Sequence, residues 1–300
     1  MNHPASANQA ADPTQLFEQQ RNRLMGLAYR LTGSRSEAED IVHETYLRWT
    51  AADQQTIDST SDWLARVTTN LALDYLKSAR VQRESYLGPW LPEPYVEHDH
   101  TPQGQYELDQ SISIALMLTL ERLSPSERAA FILHDVFQFD FNDIATMLDK
   151  SAPACRKLAS RARNSLRSPE REQSASTDAL RKLSSAFFGA VQTGDMEALT
   201  QLLVEDVGFR SDGGGKVSAA RRVLRGRNEV ATFLVKVVHA STAAEPSGSV
   251  ALKEYWFNGA PGFVLYMGGE PVSAFSFELR DGMISEIYVV RNPEKLSAFQ

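Results

Sequence analysis

Several features that are common in other protein classes are missing from this sequence of 300 residues. It has a single cysteine, Cys155, which excludes an intramolecular disulfide and a cysteine-based zinc site and favours a reducing compartment. The longest apolar stretch, residues 115–120, is far shorter than the roughly 20 residues that cross a bilayer. The polar residues 1–15 lack the apolar core of a signal peptide. We therefore expect a cytoplasmic protein that does not enter a membrane.

Basic residues are absent from one segment and concentrated in another. Residues 89–110 contain five acidic residues and no basic residue, whereas residues 150–171 contain seven basic residues and one acidic residue. These segments carry local charges of −5 and +6 in a chain whose net charge is −7. The local asymmetry is a better guide to partners than the total charge, so an acidic chain is not excluded from binding nucleic acid.

Periodicity and breaker residues divide the chain into six segments. Helical patterns fill two stretches that are separated by prolines, and beyond residue 177 two helices precede β-rich runs with Asp281-Gly282 as a hairpin turn. The predicted segments are a disordered tail (1–12), an all-α domain (13–88), an acidic Pro-rich linker (89–110), a second all-α domain (111–170), a short linker (171–176) and an α+β domain (177–300).

Two helix starts carry capping sequences. Ser36 with Glu39 and Ser124 with Glu127 have the spacing of a capping box, and Pro125 stands at a favoured first-turn position. We expect one helix to begin at each of these serines.

Residues 141–163 have the pattern of a helix-turn-helix. Ile144 and Leu148 form the apolar face of a short helix with Ala145 as the small packing residue, Asp149-Lys150 make the turn, and Ser151 caps a second helix with Cys155 and Leu158 on its buried side. The turn residue must adopt a positive φ, which Gly usually supplies and which Asp tolerates better than most residues. Cys155 occupies a position normally filled by a buried aliphatic residue, so we interpret it as a small hydrophobe.

Polar side chains cover the other faces of the second helix. They are Arg156, Lys157, Ser160, Arg161, Arg163 and Asn164, and Arg167 continues the basic run. A helix with solvated surface arginines is the alternative interpretation. In combination with the turn and the packing pattern, these residues favour a helix that reads the major groove and binds phosphates.

Short motifs in a fixed order resemble those of the bacterial extracytoplasmic-function (ECF) sigma factors. The matching segments are 28–33, 38–48, 63–67 and 70–76 in the first helical domain and 123–128 and 160–163 in the second. Three further motifs resemble hallmarks of the ECF group with a SnoaL-like C-terminal domain: Trp90-Leu91-Pro92-Glu93-Pro94, Asp212-Gly213-Gly214-Gly215-Lys216 and Asn292-Pro293-Glu294-Lys295-Leu296. Glu294 replaces the Asp that family members usually have, which keeps the charge.

The resemblance implies an architecture, partners and a regulatory arrangement. It implies two all-α sigma domains, the second with a helix-turn-helix, followed by a cone-shaped α+β domain of the SnoaL-like (NTF2-like) fold. The implied partners are core RNA polymerase, through its β′ clamp helices and β flap, and the minus-ten and minus-thirty-five promoter elements, with no cofactor and no metal. The C-terminal domain is expected to adjust activity, and whether it binds a small molecule stays open.

The resemblance also assigns roles to particular residues. Asp40, Glu44, Leu47 and Arg48 are expected to bind core polymerase, and Asn70, Asp74, Lys77, Arg80 and Arg83 to contact the minus-ten strand or its backbone. The basic helix of the second domain is expected to read the minus-thirty-five element. The acidic linker is expected to enter a basic channel of polymerase as a nucleic-acid mimic, and a solubilising tether is the alternative.

The C-terminal fold is also used by enzymes, so catalysis is considered separately. A carboxylate base and an oxyanion donor could be nominated from Asp206, Asp212, Tyr266 and Tyr288, but no spacing marks a pair, and we predict that the protein is not an enzyme.

Two further motifs fail as ligand sites. The glycine run at 212–216 is not a P-loop, because Arg210 and Val217 stand where Gly and Ser or Thr are required. His98 and His100 lack further metal ligands.

Two alternatives to a sigma factor remain at this point. One is a ligand-sensing repressor that binds DNA without polymerase, and the other is an enzyme with a DNA-binding appendage.

Overall fold

The structure, a computed structural model, describes residues 12–84, 86–96, 113–166, 177–244 and 249–300. The chain divides into two compact units: residues up to 78 with 123–165, and residues 79–122 with 166–300. Residues 89–96 of the predicted acidic linker and residues 113–122 of the second all-α domain therefore belong to the same unit as the C-terminal domain. Residues 1–11 of the predicted tail, residues 97–110 of the acidic linker and the short linker 171–176 lie outside the described residues.

Before residue 170, the helices and the non-helical residues 86–96 make up most of the described chain. The α-helices of this part are α1 (Pro13–Thr32), α2 (Arg35–Ala51), α3 (Thr60–Glu84), α4 (Ile114–Leu120), α5 (Pro125–Phe131), α6 (Phe141–Leu148) and α7 (Ala152–Leu166). A 3₁₀-helix, Gln54–Thr56, precedes α3, and a π-helix, Ile132–Val136, follows α5. The first unit contains α1, α2, α5, α6, most of α3 and nearly all of α7, whereas α4 belongs to the second unit.

Local capping explains where these helices begin. The capping box at Ser124 and Glu127 is confirmed, since each residue's side chain accepts a hydrogen bond from the other's backbone N–H. The predicted start of α2 at Ser36 is wrong. Gly33 ends α1 with φ 70°, which already places Ser34 at the cap position, and the Ser34 side chain accepts from the Glu37 N–H at 3.3 Å.

Helices from both predicted all-α domains pack against each other in the first unit. The buried Arg128 of α5 donates to the Leu31 carbonyl at the end of α1 over 2.7 Å, and burial lowers the pKa of Arg128 to about 10. The Arg23 guanidinium of α1 lies 5.1 Å from the ring centre of Phe139. An arginine buried at this contact gains its hydrogen bond only while α1 and α5 remain together.

A six-stranded sheet forms the centre of the second unit. Its strands are β1 (Leu203–Asp212), β2 (Leu224–Arg225), β3 (Val250–Phe257), β4 (Ala260–Met267), β5 (Glu270–Arg280) and β6 (Met283–Val290), in the order β2-β1-β6-β5-β4-β3. β1 is parallel to β6, and the other neighbours are antiparallel. Three helices accompany it: α8 (Thr177–Thr193), α9 (Met196–Gln201) and α10 (Arg227–Ala244).

Each face of the sheet has its own apolar core. The helices pack on one face, where Phe187 of α8 meets Phe263, Phe277 and Val289. The other face is covered by Leu91 of the linker, by Ile114 of α4 and by the C-terminal residues Leu296 and Phe299. Adjacent residues such as Val289 and Val290 lie on opposite faces, as the alternation of a strand requires.

The predicted α+β character of the C-terminal domain is confirmed, and the predicted β-rich runs correspond to β3–β6. Asp281 and Gly282 have φ angles of 53° and 73°, which suit the predicted hairpin turn. The helix α9 ends at Gln201, because Leu203 already belongs to β1. None of the helices in the described ranges is long and apolar enough to cross a membrane.

Candidate functional site

The four residues predicted to bind polymerase share the outer side of α2. Asp40, Leu47 and Arg48 are exposed, and Glu44 is half-buried and accepts from Arg48 Nε at 2.8 Å. The side chains of Ile41, Val42 and Trp49 are buried on the opposite side. Leu47 is 48% exposed, so α2 presents an apolar residue surrounded by charges.

The residues predicted to contact the minus-ten strand form an exposed stripe on α3. Asn70, Asp74 and Lys77 recur at intervals of four and three residues, and Lys77 Nζ lies 2.8 Å from Asp74 Oδ1. Arg80 and Arg83 belong to α3 by their backbone, but their side chains lie outside the described part of the structure.

This stripe borders a groove of about 530 Å³ in the first unit. One wall consists of Arg66, Asn70, Leu73, Asp74 and Lys77 of α3, and the other consists of residues 146–149 at the end of α6. The stripe on α3 and the first helix of the predicted helix-turn-helix therefore face each other across the groove.

The helix-turn-helix has the predicted local geometry. Asp149 ends α6 with φ 51° and ψ 53°, and Ser151 Oγ accepts from the Ala154 N–H at 3.4 Å to cap α7. Cys155 is fully buried, and burial raises the pKa of its thiol. Leu158 was predicted to be buried but is only half-buried. Ala159, Ala162 and Leu166 instead complete the buried side of α7, because they follow Cys155 at helical intervals.

The outer side of α7 carries the predicted DNA-binding residues. Arg156, Lys157, Ser160, Arg161 and Asn164 are exposed, whereas Arg163 is half-buried. Arg163 Nε donates to Asp135 Oδ1 at 2.7 Å, and the Arg156 guanidinium lies 5.5 Å from the ring centre of Phe141. Arg167 lies outside the described residues.

The three hallmark motifs of the second unit meet at the buried carboxylate of Asp212. Its Oδ1 accepts from the Tyr86 hydroxyl at 2.6 Å and from the Gly214 N–H at 2.9 Å. Its Oδ2 accepts from the Leu91 N–H at 2.9 Å and from Lys295 Nζ at 2.7 Å. We call Tyr86, Trp90, Leu91, Asp212 and Lys295 the linker clasp.

Lys295 contacts both the Asp212 carboxylate and the linker residues of the linker clasp. Its Nζ also donates to the Leu91 carbonyl at 2.6 Å and lies 4.5 Å from the ring centre of Trp90. Burial, together with hydrogen bonding to Asp212, raises the pKa of Tyr86, which therefore stays a neutral donor. A fully buried carboxylate is tolerated only when donors surround it, and Asp212 has four: three from the linker clasp and the Gly214 N–H.

The glycine run lets the second motif approach the third. Gly214 has φ 62°, and a Cβ atom there would lie 2.4 Å from Asn292 Nδ2, so both the backbone angle and the available space require glycine. Lys216 forms an ion pair with Glu294 of the third motif. Glu93, in the linker motif, is buried as well.

A second contact holds the linker at the edge of the sheet. The Tyr95 N–H donates to Asn258 Oδ1, the Asn258 N–H donates to the Tyr95 carbonyl, both at 3.0 Å, and Val96 forms a β-bridge with Phe257. Residues 86–96, which comprise the end of the predicted first all-α domain and the described part of the linker (89–96), are thus packed on the C-terminal domain and are not a free tether.

The residues considered for catalysis are engaged in other contacts, and Tyr266 and Tyr288 share one apolar cluster. Asp212 belongs to the linker clasp, and Asp206 is an exposed partner of Arg280, whose hydrogen bond lowers the Asp206 pKa. Tyr266 donates to the Phe299 carbonyl and bonds to the Tyr255 hydroxyl, and Tyr288 is buried, which raises its pKa.

The helix-covered face of the sheet is filled with aromatic side chains. Phe187, Phe188, Phe263, Phe275 and Phe277 pack with ring centres 5.2–6.4 Å apart. No group of three or more His, Cys, Asp or Glu residues within the described ranges has the arrangement of a metal site, and His98 and His100 lie outside those ranges.

Comparison with known proteins identifies the family. The family models "Sigma-70 region 2" and "Sigma-70, region 4" match residues 16–81 and 113–166. The chain is 36% identical to the ECF RNA polymerase sigma factor SigJ of Mycobacterium tuberculosis, over 94% of this chain and 92% of SigJ. It belongs to the ECF sigma factors.

Two further comparisons cover nearly the whole length. The probable ECF RNA polymerase sigma factor SigI of M. tuberculosis is 31% identical, over 91% of each chain. The crystal structure of M. tuberculosis SigJ aligns with a TM-score of 0.74 at 32% identity and covers 95% of this chain and 98% of that one. In this ECF sigma factor, α1–α3 correspond to region 2 and α4–α7 to region 4, while the linker motif at 90–94 lies between the two matched regions.

Sequence reasoning missed Tyr86, Asn258 and Asp135. The hydrogen-bond partner of Tyr86 is 126 residues away and that of Asn258 is 163 residues away, so no local pattern marks either residue. Asn258-Gly259 was readable as a turn, and both residues have positive φ, but the turn gives no sign that the Asn side chain binds the linker.

We expect the Asp212–Lys295 pair to be strongly coupled in stability. Asp212→Asn or Lys295→Met alone should lower the free energy of unfolding by about 3–5 kcal/mol, because each leaves a buried charge without its partner. The double variant should lose clearly less than the sum of the two single variants. Urea unfolding followed by tryptophan fluorescence measures all four forms.

The exposed Asp206–Arg280 pair is the matched control for this cycle. Its Asp206 side chain is 69% exposed, so Asp206→Asn and Arg280→Met should act almost additively. Additive behaviour of Asp212 and Lys295 would show that the two charges do not depend on each other.

Proposed function

We propose that this chain binds core RNA polymerase and directs it to promoters. One observation carries the proposal: an exposed apolar and charged face on α2, a polar stripe on α3 and a basic helix-turn-helix occur in one chain, in the order of sigma regions 2 and 4. The protein acts in the cytoplasm as an initiation factor and does not itself catalyse a reaction.

Core polymerase is bound through the α2 face. Leu47 supplies an apolar contact that becomes desolvated, and Asp40, Glu44 and Arg48 surround it with charges, an arrangement that suits a charged helical partner such as the β′ clamp helices. Region 4 is assigned to the β flap.

Promoter DNA is read by two separate surfaces. The α3 stripe, extended by Arg80 and Arg83, offers polar groups for extruded bases and cations for the strand. The outer side of α7, extended by Arg167, enters the major groove of the minus-thirty-five element.

DNA binding requires the two sigma domains of the first unit to separate. The two promoter elements lie about 25 base pairs apart, roughly 85 Å at 3.4 Å per base pair. A compact unit of about 120 residues has a radius of gyration of only ~14 Å, too small to span that distance. The contact between Arg128 and the end of α1, and the groove between α3 and α6, therefore belong to the form that precedes promoter binding.

The C-terminal domain adjusts activity by holding the linker. Residues 90–96 cannot both pack in the linker clasp and enter a polymerase channel, so docking on the sheet competes with assembly of the active complex. α4, the first helix of region 4, packs on the same face of the sheet as the linker. The C-terminal domain therefore contacts region 4 as well.

Run-off transcription with purified core polymerase on a pool of genomic fragments tests the proposed function. Adding the full chain should produce discrete transcripts, and Leu47→Asp should reduce their yield at limiting protein by tenfold or more, because a charge replaces the apolar contact. Leu252→Asp, at a comparably exposed leucine of β3, is the matched control and should leave the yield unchanged.

Two results would contradict this proposal. Equal transcript yields without the protein would exclude a sigma factor. Sequence-specific binding of duplex DNA by the protein in a gel shift without core enzyme, together with no transcripts when core is added, would favour the ligand-sensing repressor.

Release of the linker should raise promoter output severalfold. Asp212→Asn combined with Lys295→Met removes the central charge pair at nearly constant volume, so the linker becomes free to enter polymerase. Run-off yield measures the effect, and limited proteolysis within residues 86–96 reports the release. Asp206→Asn with Arg280→Met is the control.

Point variants suit this test better than truncation. A chain cut near residue 171 loses the sheet that buries Leu91 and Ile114. Truncation therefore releases the linker and at the same time removes the surface on which α4 of region 4 packs. Unchanged output from a chain whose linker has become protease-sensitive would exclude regulation by the linker clasp.

A further inference from the structure

The scaffold that precedes the helix-turn-helix contains a π-helix. The Phe137 N–H at its end donates to the Ile132 carbonyl at 3.1 Å, which is the i→i+5 pattern, and Gln138 follows with φ 59°. Such wide turns are uncommon and recur at functional sites. Here the turn carries His134 and Asp135, and both contact residues of the helix-turn-helix.

Asp135 binds one arginine of the recognition helix. Its Oδ1 accepts from Arg163 Nε at 2.7 Å, and the Asp135 and Arg163 side chains are 27% and 40% exposed. The bond uses one of the five N–H donors of the guanidinium. The two terminal amino groups keep four donors for a phosphate or for the acceptor edge of a guanine.

Phe141 supports a second arginine of the same helix. The His134 ring stacks on Phe141 with centres 4.0 Å apart and an angle of 29° between the planes, and His134 Nδ1 lies 3.0 Å from the Phe139 carbonyl oxygen. The Arg156 guanidinium lies 5.5 Å from the Phe141 ring centre. A ring that is itself fixed by stacking gives the guanidinium a defined surface on which to lie.

Two of the cations on α7 are thus held and two are not. Arg156 and Arg163 are seven residues apart, which puts them on one side of the helix about 10.5 Å from each other along its axis. Lys157 and Arg161 are exposed and have no ion-pair or aromatic partner within the described ranges. The division suggests that the four cations do not have the same task.

We propose that Asp135 and Phe141 are positioning residues that hold Arg163 and Arg156 in the orientation for reading bases of the minus-thirty-five element. Lys157 and Arg161 then bind the backbone without sequence preference. The inference rests on the proposed role of α7 in DNA binding. A long side chain that is ordered before binding loses less entropy when it meets its base, so the contact discriminates better.

A carboxylate near DNA also repels phosphates, and this separates positioning from a simple charge effect. If Asp135 acted only through its charge, Asp135→Asn would strengthen binding to every sequence. If Asp135 positions Arg163, the same substitution strengthens non-specific binding while sequence preference falls. The charge effect alone leaves the ratio of specific to non-specific affinity unchanged, whereas loss of positioning lowers that ratio.

The test uses the full chain with core polymerase and a DNA library randomised across both promoter elements. Bound molecules are sequenced for the wild type, Asp135→Asn, Arg163→Ala and the double variant. We expect Asp135→Asn to reduce base preference about fivefold or more at the same minus-thirty-five position that Arg163→Ala affects. In the Arg163→Ala background, Asp135→Asn should produce no further loss.

Asp143→Asn is the matched control, because it removes one exposed negative charge from α6 in the same domain. It should leave the preference unchanged. Full preference in Asp135→Asn, or an equal loss in the two backgrounds, would overturn the proposed role of Asp135. Full preference in Arg163→Ala would instead remove Arg163 from base readout, and positioning of this arginine would fall with it.

Phe141 is tested in the same library. Phe141→Leu keeps apolar bulk but removes the ring face, and it should reduce preference at the position that Arg156→Ala affects. Phe141→Tyr keeps the ring and should retain the preference. Equal selection by all three forms would overturn the role of Phe141, and thermal unfolding of each form shows whether a loss comes from misfolding.

Discussion

Burial of the Asp212 carboxylate is the constraint on which the second unit depends. Asp212 has no exposed surface, and burying a charge without partners costs several kcal/mol. Its donors come from three distant parts of the chain: the linker, the glycine loop that follows β1, and the segment after β6. Removal of residues 86–96 would take two donors from the carboxylate and one acceptor from Lys295. The position of the linker is therefore coupled to the position of Lys295 and the C-terminal segment that follows β6.

This coupling extends to region 4 through a shared face of the sheet. Leu91 and Ile114 lie in the same apolar cluster as Leu296 and Phe299, so α4 packs with the C-terminal domain, whereas α5, α6 and nearly all of α7 belong to the unit of the region 2 helices. A family model that runs from residue 113 to 166 thus spans two structural units. In the proposed regulation, a change in the linker clasp would reach region 4 through α4.

Features governed by near neighbours were predictable, and features governed by distant partners were not. The positive φ of Asp149, the Ser124 capping box and the burial of Cys155 follow from residues within one or two helical turns. β1 was missed because it pairs in parallel with β6, about eighty residues later, and its first residues follow directly on a helix. The hallmark motifs marked Asp212 and Lys295 as important, but only the fold shows that the two residues form a pair.

In the proposed DNA reader, Asp135 places a negative charge beside the cations of α7. The charge weakens attraction to every phosphate nearby, and that loss is the same for all sequences. An ordered Arg163 gains only where an acceptor stands at the right place, so the benefit is confined to the correct site. Specificity is the difference between these two affinities, and it increases when non-specific binding falls while the correct contact is kept. A scaffold acid that is fixed by a π-helix supplies both effects with one side chain.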